Sequence, residues 1–335
     1  MTKVAYVTNT DSNDISVVDL LTEKELGRIG IGDSPRGAMA IDKKRNLGYV
    51  SNTAGETISV IDLVHNTETR RIAVGLAPRG VDISPDFNYL FVSNSGSGSL
   101  SIVDLENQQV VKTILVGRNP RQLSISLDGR LVCVPNFGSD SISLIEINYE
   151  NITDSQVLNE IELSKDAKPY HAYIDKFENI IFTANTFNSS VSVIDLKTQR
   201  VVDNIIVGAG PRAVISDLTG KFLFVSSEAA NAVSVIDRET RKEFKRIPVG
   251  GTPRGMQIDP DTNHLLISDF TRTFSTPLSP YFDDKLTVID INKLERIGNL
   301  PTGLGACSVN IFETEYTMTQ FSTNLNINEQ RKIGA

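Results

Sequence analysis

The sequence predicts an all-β fold, a seven-bladed β-propeller, because one repeat recurs seven times and each copy contains four strand-like segments. Five copies begin with IGDSPRG, VGLAPRG, VGRNPRQ, VGAGPRA and VGGTPRG, and AKPYHA and GLGACS occupy the same slot in the other two. The aligned residues are Pro35, Pro78, Pro120, Pro169, Pro211, Pro253 and Ala306. They are 43, 42, 49, 42, 42 and 53 residues apart, close to the roughly 40 to 50 residues that one propeller blade uses.

Each copy contains four short strand-like segments separated by polar turns. A short apolar strand follows the proline, and a polar turn such as SPDFN leads to a second strand that ends in Asn, as in GYVSN. A turn rich in Gly, Ser and Asn precedes a third strand such as TISVIDL, whose alternation is typical of a half-buried strand. A fourth strand such as RRIAVG returns to the next proline, so each copy predicts one four-stranded antiparallel sheet.

The two ends of the chain complete one copy between them. The N-terminal segments KVAYVTN, DISVVDL and ELGRIGIG match strands two to four, and ACSVNIF near the C-terminus matches the missing first strand. Pairing of these segments would close the ring and protect its edge strands. We therefore expect one domain over residues 1–335, whose last blade joins N-terminal strands to a C-terminal strand, with 313–335 as a C-terminal extension.

Composition limits the partners and cofactors that we expect. The net charge of −8 and the pI near 5.1 oppose a general attraction to nucleic acid or to an anionic membrane. Two cysteines and three histidines offer little for a metal cage, so no cofactor is predicted, although a divalent cation held by backbone carbonyls in the channel would leave no mark in the sequence. Without an apolar membrane span or a leader pattern, we expect a cytoplasmic location.

The repeat resembles a known family. YVTN in the first strand and the recurring VGxxPRG, YVSN and ISVIDL segments are similar to the YVTN-type propeller repeat family over residues 3–312. This resemblance implies the fold and leaves the function open, since the family includes surface proteins and nucleic-acid-associated periplasmic proteins. Two copies, with KPYHAY before IIFTAN and with PRQLSISLDGRLVCVPNFGSDSI, also resemble phosphogluconolactonase-type propellers.

The residue after each aligned proline should face one mouth of the central channel, because the innermost strand of a propeller blade lines that channel. These residues are Arg36, Arg79, Arg121, Tyr170, Arg212, Arg254 and Cys307. Five guanidinium groups would concentrate positive potential there and could bind carboxylate or phosphate. Duplication alone also explains such a ring, and each arginine could instead brace a neighbouring blade.

The ends of the second strands form another predicted ring. Its members are Asn9, Asn52, Asn94, Asn136, Asn185, Ser227 and Asp269. Asn52, Asn94, Asn136 and Asn185 are candidate ligand-binding residues. Asparagine also closes side-chain turns, so a structural role is the alternative.

Departures from the repeat are the candidates for catalysis, because duplication does not explain them. They are His171, Tyr170, Asp269, Cys307 and Glu228. His171 or Asp269 would act as the base and Tyr170 as the acid, and the arginines should lower the pKa of His171 and keep it neutral near pH 7. Nearby positive charge could lower the pKa of Cys307 and make it a nucleophile, and a small apolar role in the core is the alternative for this residue. Glu228 could be a base or the partner of an arginine.

The longest insertion, FTRTFSTPLSPYFDDK, separates the second and third strands of the sixth copy, over the arginine mouth. Long loops in compact domains are usually functional or disordered, and aromatic residues argue against plain disorder. We interpret the insertion as a lid, with a packing or oligomer contact as the alternative. The lid residues are Phe270, Arg272, Phe274, Tyr281 and Phe282.

The favoured function is binding of a small carboxylate or phosphate in the channel mouth, with cofactor-independent lyase, isomerase or lactonase chemistry on it. A non-catalytic scaffold for a protein partner is the first alternative. Binding of single-stranded nucleic acid is the second, and the acidic pI opposes it. The motifs of common nucleophile, phosphate-loop and dinucleotide sites are missing, so whether the chain is an enzyme stays open.

Overall fold

The computed structural model describes residues 2–270 and 285–314, which form seven four-stranded antiparallel sheets. The innermost strand of each sheet contacts the innermost strands of its two neighbours, so the sheets stand in a ring around one axis. The predicted seven-bladed propeller is confirmed.

The chain starts within one sheet, builds six complete sheets, and returns to the first. The three N-terminal strands are β1 (Thr2–Asn9), β2 (Asp14–Asp19) and β3 (Lys24–Gly30). The strands of blade 1 are β4 (Pro35–Asp42), β5 (Leu47–Asn52), β6 (Thr57–Asp62) and β7 (Thr67–Ala73). The strands of blade 2 are β8 (Pro78–Ile83), β9 (Tyr89–Asn94), β10 (Ser99–Asp104) and β11 (Gln109–Leu115). The strands of blade 3 are β12 (Ser124–Ile125), β13 (Leu131–Asn136), β14 (Ser141–Glu146) and β15 (Gln156–Glu162).

The second half of the ring repeats this order. The strands of blade 4 are β16 (Pro169–Ile174), β17 (Ile180–Asn185), β18 (Ser190–Asp195) and β19 (Arg200–Ile206). The strands of blade 5 are β20 (Pro211–Ser216), β21 (Phe222–Ser227), β22 (Ala232–Asp237) and β23 (Lys242–Pro248). The strands of blade 6 are β24 (Pro253–Asp259), β25 (His264–Asp269), β26 (Lys285–Asp290) and β27 (Glu295–Pro301). Two single-turn 3₁₀-helices span Ile152–Asp154 and Glu228–Ala230.

The last strand, β28 (Ala306–Thr314), closes the ring by pairing with β1 to form blade 7. Val4 lies opposite Phe312 in this antiparallel pair, and Thr2 lies opposite Thr314. The strand therefore runs two residues beyond the 312/313 boundary expected from the repeat, because the partner strand is long enough to pair with them.

Equivalent large side chains fill the space between blades. The residue three positions before the end of each second strand is at most 3% exposed. This set consists of Tyr6, Tyr49, Phe91, Cys133, Phe182, Phe224 and Leu266. Burial of such side chains is the main favourable term in folding, and here it is repeated at every blade.

One backbone hydrogen bond recurs in all seven blades and joins the two loops on the arginine side. The N–H after the second strand donates to the carbonyl before the aligned residue, as from Thr53 to Ser34 at 3.1 Å and from Glu228 to Gly210 at 2.9 Å. The loop between strands two and three and the loop entering the innermost strand therefore share one face, as predicted.

The innermost strand of blade 3 has only two ladder residues. The segment just before these two residues pairs with blade 4 instead. The N–H of Gln122 donates to the carbonyl of Tyr170 at 3.1 Å, and the N–H of Ala172 donates to the carbonyl of Gln122 at 3.3 Å. No helix among the described residues is both long and apolar enough to cross a bilayer.

Candidate functional site

The innermost strands enclose an axial cavity of about 370 Å³. The structure places all seven residues that follow the aligned positions on its wall. These are Arg36, Arg79, Arg121, Tyr170, Arg212, Arg254 and Cys307. They form the first tier of the cavity, and we call them the arginine ring.

Serine hydroxyls hold the backbone of the arginine ring from the neighbouring blade. Ser51 Oγ donates to the carbonyl of Arg79 at 2.7 Å, and Ser93 Oγ donates to that of Arg121 at 2.6 Å. Gly80 lets the blades approach closely, since a Cβ there would lie 2.6 Å from the carbonyl oxygen of Arg121. The backbone at Arg79 and Arg121 is therefore packed directly against the neighbouring blade.

Two further tiers line the cavity below the arginine ring. The second tier contains Gly37, Gln122, His171, Ala213, Gly255 and Ser308. The third tier contains Ala40, Asp82, Ser124, Tyr173, Ile215, Gln257 and Asn310. The third tier was not predicted from the sequence, although its members have a nearly constant spacing. Each lies four residues after the aligned position, except in blade 1, where the distance is five residues.

Asp82 is the acidic member of the third tier. Its carboxylate accepts the N–H of Ile83 at 2.9 Å and the N–H of Ile125, in the next blade, at 3.1 Å. Burial outweighs these bonds and raises the pKa of Asp82 to about 6. The carboxyl group of Asp82 is therefore a weaker acid than that of an ordinary aspartate.

Glu228 pairs with two members of the arginine ring. Its Oε1 accepts from Nε and Nη2 of Arg254 at 2.9 and 2.7 Å, and its Oε2 accepts from the guanidinium of Arg212. Burial alone would raise the pKa of Glu228, but the guanidinium groups of Arg254 and Arg212 outweigh it and lower that pKa. Of the two roles considered for Glu228, its contacts are those of an arginine partner.

The other three arginines have a different environment. Arg36, Arg79 and Arg121 form no ion pair with the acidic side chains of residues 2–270 and 285–314, and their Nε atoms are buried without a hydrogen-bond partner there. Burial lowers the pKa of Arg79, and burial together with the charge of Arg79 lowers the pKa of Arg121 to about 10. A buried charge without a partner is costly, so this half of the ring is suited to an added anion.

Tyr170 lies between arginines of the two halves. The guanidinium carbon of Arg212 lies 4.6 Å from the centre of the Tyr170 ring, and that of Arg121 lies 5.4 Å from it. Burial would raise the pKa of Tyr170, but the charges of Arg254, Arg79 and Arg212 lower it overall. The phenol is thus a stronger acid than an ordinary tyrosine.

Cys307 completes the ring from blade 7 and is buried. Burial would raise its pKa, but the charge of Arg254, the N–H of Gly37 and the charge of Arg36 lower it overall. The thiol therefore has the lowered pKa expected from the sequence, whereas burial raises the pKa of Cys133.

His171 lies in the second tier, and its Nδ1 accepts the backbone N–H of Val214 at 3.2 Å. Burial lowers its pKa to about 4, so the direction follows the expectation while the cause is burial rather than the arginines. Because Nδ1 is the acceptor, the neutral ring carries its hydrogen on Nε2. This geometry opposes the general-base role considered for His171, since the ring has no second lone pair to offer.

The second predicted ring lies behind the cavity wall. Asn94 is fully buried, and its Nδ2 donates to Ser99 Oγ at 3.1 Å and Ser101 Oγ at 2.8 Å. The same pair of bonds to the third strand, five and seven residues ahead, is made by Asn9, Asn52, Asn136 and Asn185. These contacts suit the structural alternative, and no ring asparagine lines the cavity.

Asp269 is also fully buried and away from the cavity wall, where it accepts the hydroxyl of Thr287 at 2.6 Å. Its position gives no support to the role of base. Phe270 is 3% exposed, and its ring centre lies 3.5 Å from the guanidinium carbon of Arg254. The remaining predicted lid residues, Arg272, Phe274, Tyr281 and Phe282, lie outside the described residues.

An aromatic cluster beside the mouth was not found from the sequence. Phe137 lies 4.7 Å from the guanidinium carbon of Arg121 and contacts Tyr170 and Phe187, with ring centres 6.3 and 6.0 Å apart. Phe187 is 66% exposed. The signal was present in blade 3, where Phe137 occupies a place that holds Thr or Ser in four other blades.

The described part of the chain contains no group of three His, Cys, Asp or Glu side chains placed to hold a metal ion. The donors on the cavity wall are chiefly cationic or weakly acidic.

Comparison with known proteins supports the architecture. A family model described as YNCE-like beta-propeller matches residues 126–262, and one described as Cytochrome D1 heme domain matches residues 42–169. No curated protein sequence matches the chain.

Solved structures share the fold at low sequence identity. A protein from Lactobacillus plantarum superposes with a TM-score of 0.78 and 14% identity, covering 93% of this chain and 100% of that one. Hydrazine synthase from Kuenenia stuttgartiensis gives a TM-score of 0.69 and 22% identity over 84% of this chain and 96% of that one. The dihydro-heme d1 dehydrogenase NirN, solved in complex with DHE, gives a TM-score of 0.66 and 16% identity, covering 92% of this chain and 74% of that one. Together with the repeat and the closed ring of sheets, these findings identify the chain as a seven-bladed β-propeller.

Proposed function

We propose that the chain binds a small anionic ligand, a carboxylate or phosphate, in the arginine-lined mouth of its channel. The observation that carries this proposal is the set of three guanidinium groups, from Arg36, Arg79 and Arg121, that share one cavity without a carboxylate partner among the described residues. Carboxylate and phosphate groups would supply the missing negative charge.

The comparisons support a ligand in the propeller in a general way. The related fold of NirN was solved in complex with DHE, and a family model that matches residues 42–169 is described as a heme domain. NirN, a protein of similar fold, thus binds a ligand.

The residues of this cavity do not fit a haem with a histidine ligand. The Nδ1 of His171 already accepts the N–H of Val214, so in the neutral ring the hydrogen occupies Nε2, the nitrogen that would bind iron. His65 and His264 do not line the cavity. The proposed ligand is therefore the anion itself.

Tyr170 is the group best placed to act on a bound anion. Its lowered pKa and its position between guanidinium groups suit transfer of a proton, with the arginines stabilising the negative charge that develops on a carboxylate or enolate. A lyase, isomerase or lactonase reaction of this kind needs no cofactor, and we propose Tyr170 as its acid.

Calorimetric titration with citrate and with inorganic phosphate tests the proposal. We expect Arg79→Gln to weaken binding at least about tenfold, because it removes an unpaired guanidinium group from the cavity. Arg130→Gln is the matched control, since Arg130 is exposed and lies outside the cavity while the charge change is the same. Failure of both anions to bind the wild-type protein, or equal weakening by the two variants, would contradict the proposal.

A further inference from the structure

Glu228 shows what a carboxylate does between two neighbouring arginines of the ring. One oxygen accepts from Arg212 in blade 5 and the other accepts from Arg254 in blade 6. The carboxylate thus fills the gap between two adjacent blades, and the chain itself supplies the anion there.

The same gap exists twice more, and no acidic side chain of residues 2–270 and 285–314 occupies it. Arg36 and Arg79 are the equivalent pair in blades 1 and 2, and Arg79 and Arg121 are the equivalent pair in blades 2 and 3. The residues that correspond to Glu228 in these gaps are Thr53 and Ser95.

Backbone hydrogen bonds show that this correspondence is structural. The N–H of Thr53 donates to Ser34 at 3.1 Å and that of Ser95 donates to Ala77 at 2.9 Å, as the N–H of Glu228 donates to Gly210 at 2.9 Å. All three side chains therefore start from the same place in their blades.

The hydroxyl groups of Thr53 and Ser95 make other contacts. Thr53 Oγ1 donates to the carbonyl of Pro78 at 2.8 Å, and Ser95 Oγ donates to the side chain of Asn119. Neither side chain carries a charge, so neither supplies the neighbouring arginines with a carboxylate as Glu228 does.

We propose that the ligand carries two acidic groups, which bridge Arg36 to Arg79 and Arg79 to Arg121 as Glu228 bridges Arg212 to Arg254. This inference rests on the proposed function and assigns its ligand to the dicarboxylate class. Arg79 serves both groups, which its five N–H donors allow. The three positive charges of this half of the ring favour a dianion over a monoanion.

The substitution Thr53→Glu tests the inference directly, because it would place a carboxylate of the chain in the first gap. Thr53→Gln is its matched control, with the same length, the same lost hydroxyl and no charge. Binding of acetate, malonate, succinate and glutarate is measured by calorimetry for the wild type and both variants. Ser95→Glu and Ser95→Gln provide a second pair for the second gap if the first pair folds poorly.

We expect the tightest dicarboxylate to bind the wild type at least about tenfold more tightly than acetate, and this advantage to be lost in Thr53→Glu but kept in Thr53→Gln. Acetate affinity equal to that of all three dicarboxylates would overturn the inference and leave the proposed function standing. Equal binding by the Glu and Gln variants would overturn it as well. Failure of every anion to bind the wild type would instead refute the proposed function.

Discussion

Glu228 and Arg254 lie in neighbouring blades, and one carboxylate oxygen of Glu228 accepts two hydrogen bonds from Arg254, at 2.9 and 2.7 Å. Arg254 is 4% exposed, and this carboxylate compensates for its buried charge. The pair joins blade 5 to blade 6, so one half of the arginine ring contains a carboxylate and the other half contains none among the described residues.

Replacing Glu228 should therefore change stability and binding in opposite directions. We expect Glu228→Gln to lower the free energy of unfolding by about 3 kcal/mol, because it leaves a buried guanidinium group without its charge partner. The same change frees two arginines and should tighten binding of an added dicarboxylate. Chemical denaturation and calorimetry measure the two effects, with Glu239→Gln, on an exposed turn of the same blade, as control.

The sign of the pH dependence follows from the lowered pKa of Glu228. The stabilising effect of the carboxylate is complete above its unfolded pKa, near 4.5, and is lost as the pH falls through the lower folded pKa. The difference in stability between the wild type and Glu228→Gln should thus be constant at neutral pH and shrink in acid. A difference that grows in acid would contradict the assignment.

His171 should stabilise the fold as a neutral acceptor. We expect His171→Leu to cost about 1 to 3 kcal/mol at pH 7, because the buried N–H of Val214 loses its partner. Since burial lowers the folded pKa of His171 to about 4, its contribution is complete above the unfolded pKa of 6.5 and falls as the pH drops toward 4. Denaturation of the wild type and the variant at several pH values measures this, and a stability difference that stays constant between pH 7 and pH 4 would show that His171 is not a buried neutral acceptor.

The repeat was enough to predict the number of sheets, their order and the closure by β28, because strand periodicity and turn residues recur at nearly equal spacing. It also placed the arginine ring, since an equivalent residue in each blade occupies an equivalent point around the axis. Side-chain direction could not be obtained in this way. Asn94 turns into its blade to reach Ser101, and Glu228 reaches across to Arg254, and both outcomes depend on contacts between strands that spacing does not specify.

The third tier shows a second limit of the sequence reasoning. A register shift separates Pro78 from Val81 in the innermost strand of blade 2, so simple alternation from Arg79 does not lead to Asp82. Only the folded strand shows that Asp82 faces the channel, where burial changes its acidity.

Asp82 should make the fold less stable as the pH rises. Burial raises its folded pKa from 3.8 to about 6, so its favourable contribution is complete below pH 3.8 and is lost as the pH rises through 6. We expect the stability of Asp82→Asn relative to the wild type to increase between pH 4 and pH 7, by up to about 3 kcal/mol. Parallel stability profiles of the two proteins over this range would show that Asp82 does not titrate there.

Gly80 provides a test of the packing that presents the arginine ring. A Cβ at this position would lie 2.6 Å from the carbonyl oxygen of Arg121 and 2.9 Å from the Cα of Gln122, and both are backbone atoms that cannot turn aside. We expect Gly80→Ala to cost about 1 to 3 kcal/mol and to weaken anion binding, because the innermost strand of blade 3 must move and carries Arg121 with it. Gly30→Ala is the control, since a Cβ there has no neighbour within 4 Å among the described residues. Equal stability and equal anion affinity of the two variants would mean that the close approach of blades 2 and 3 does not position the ring.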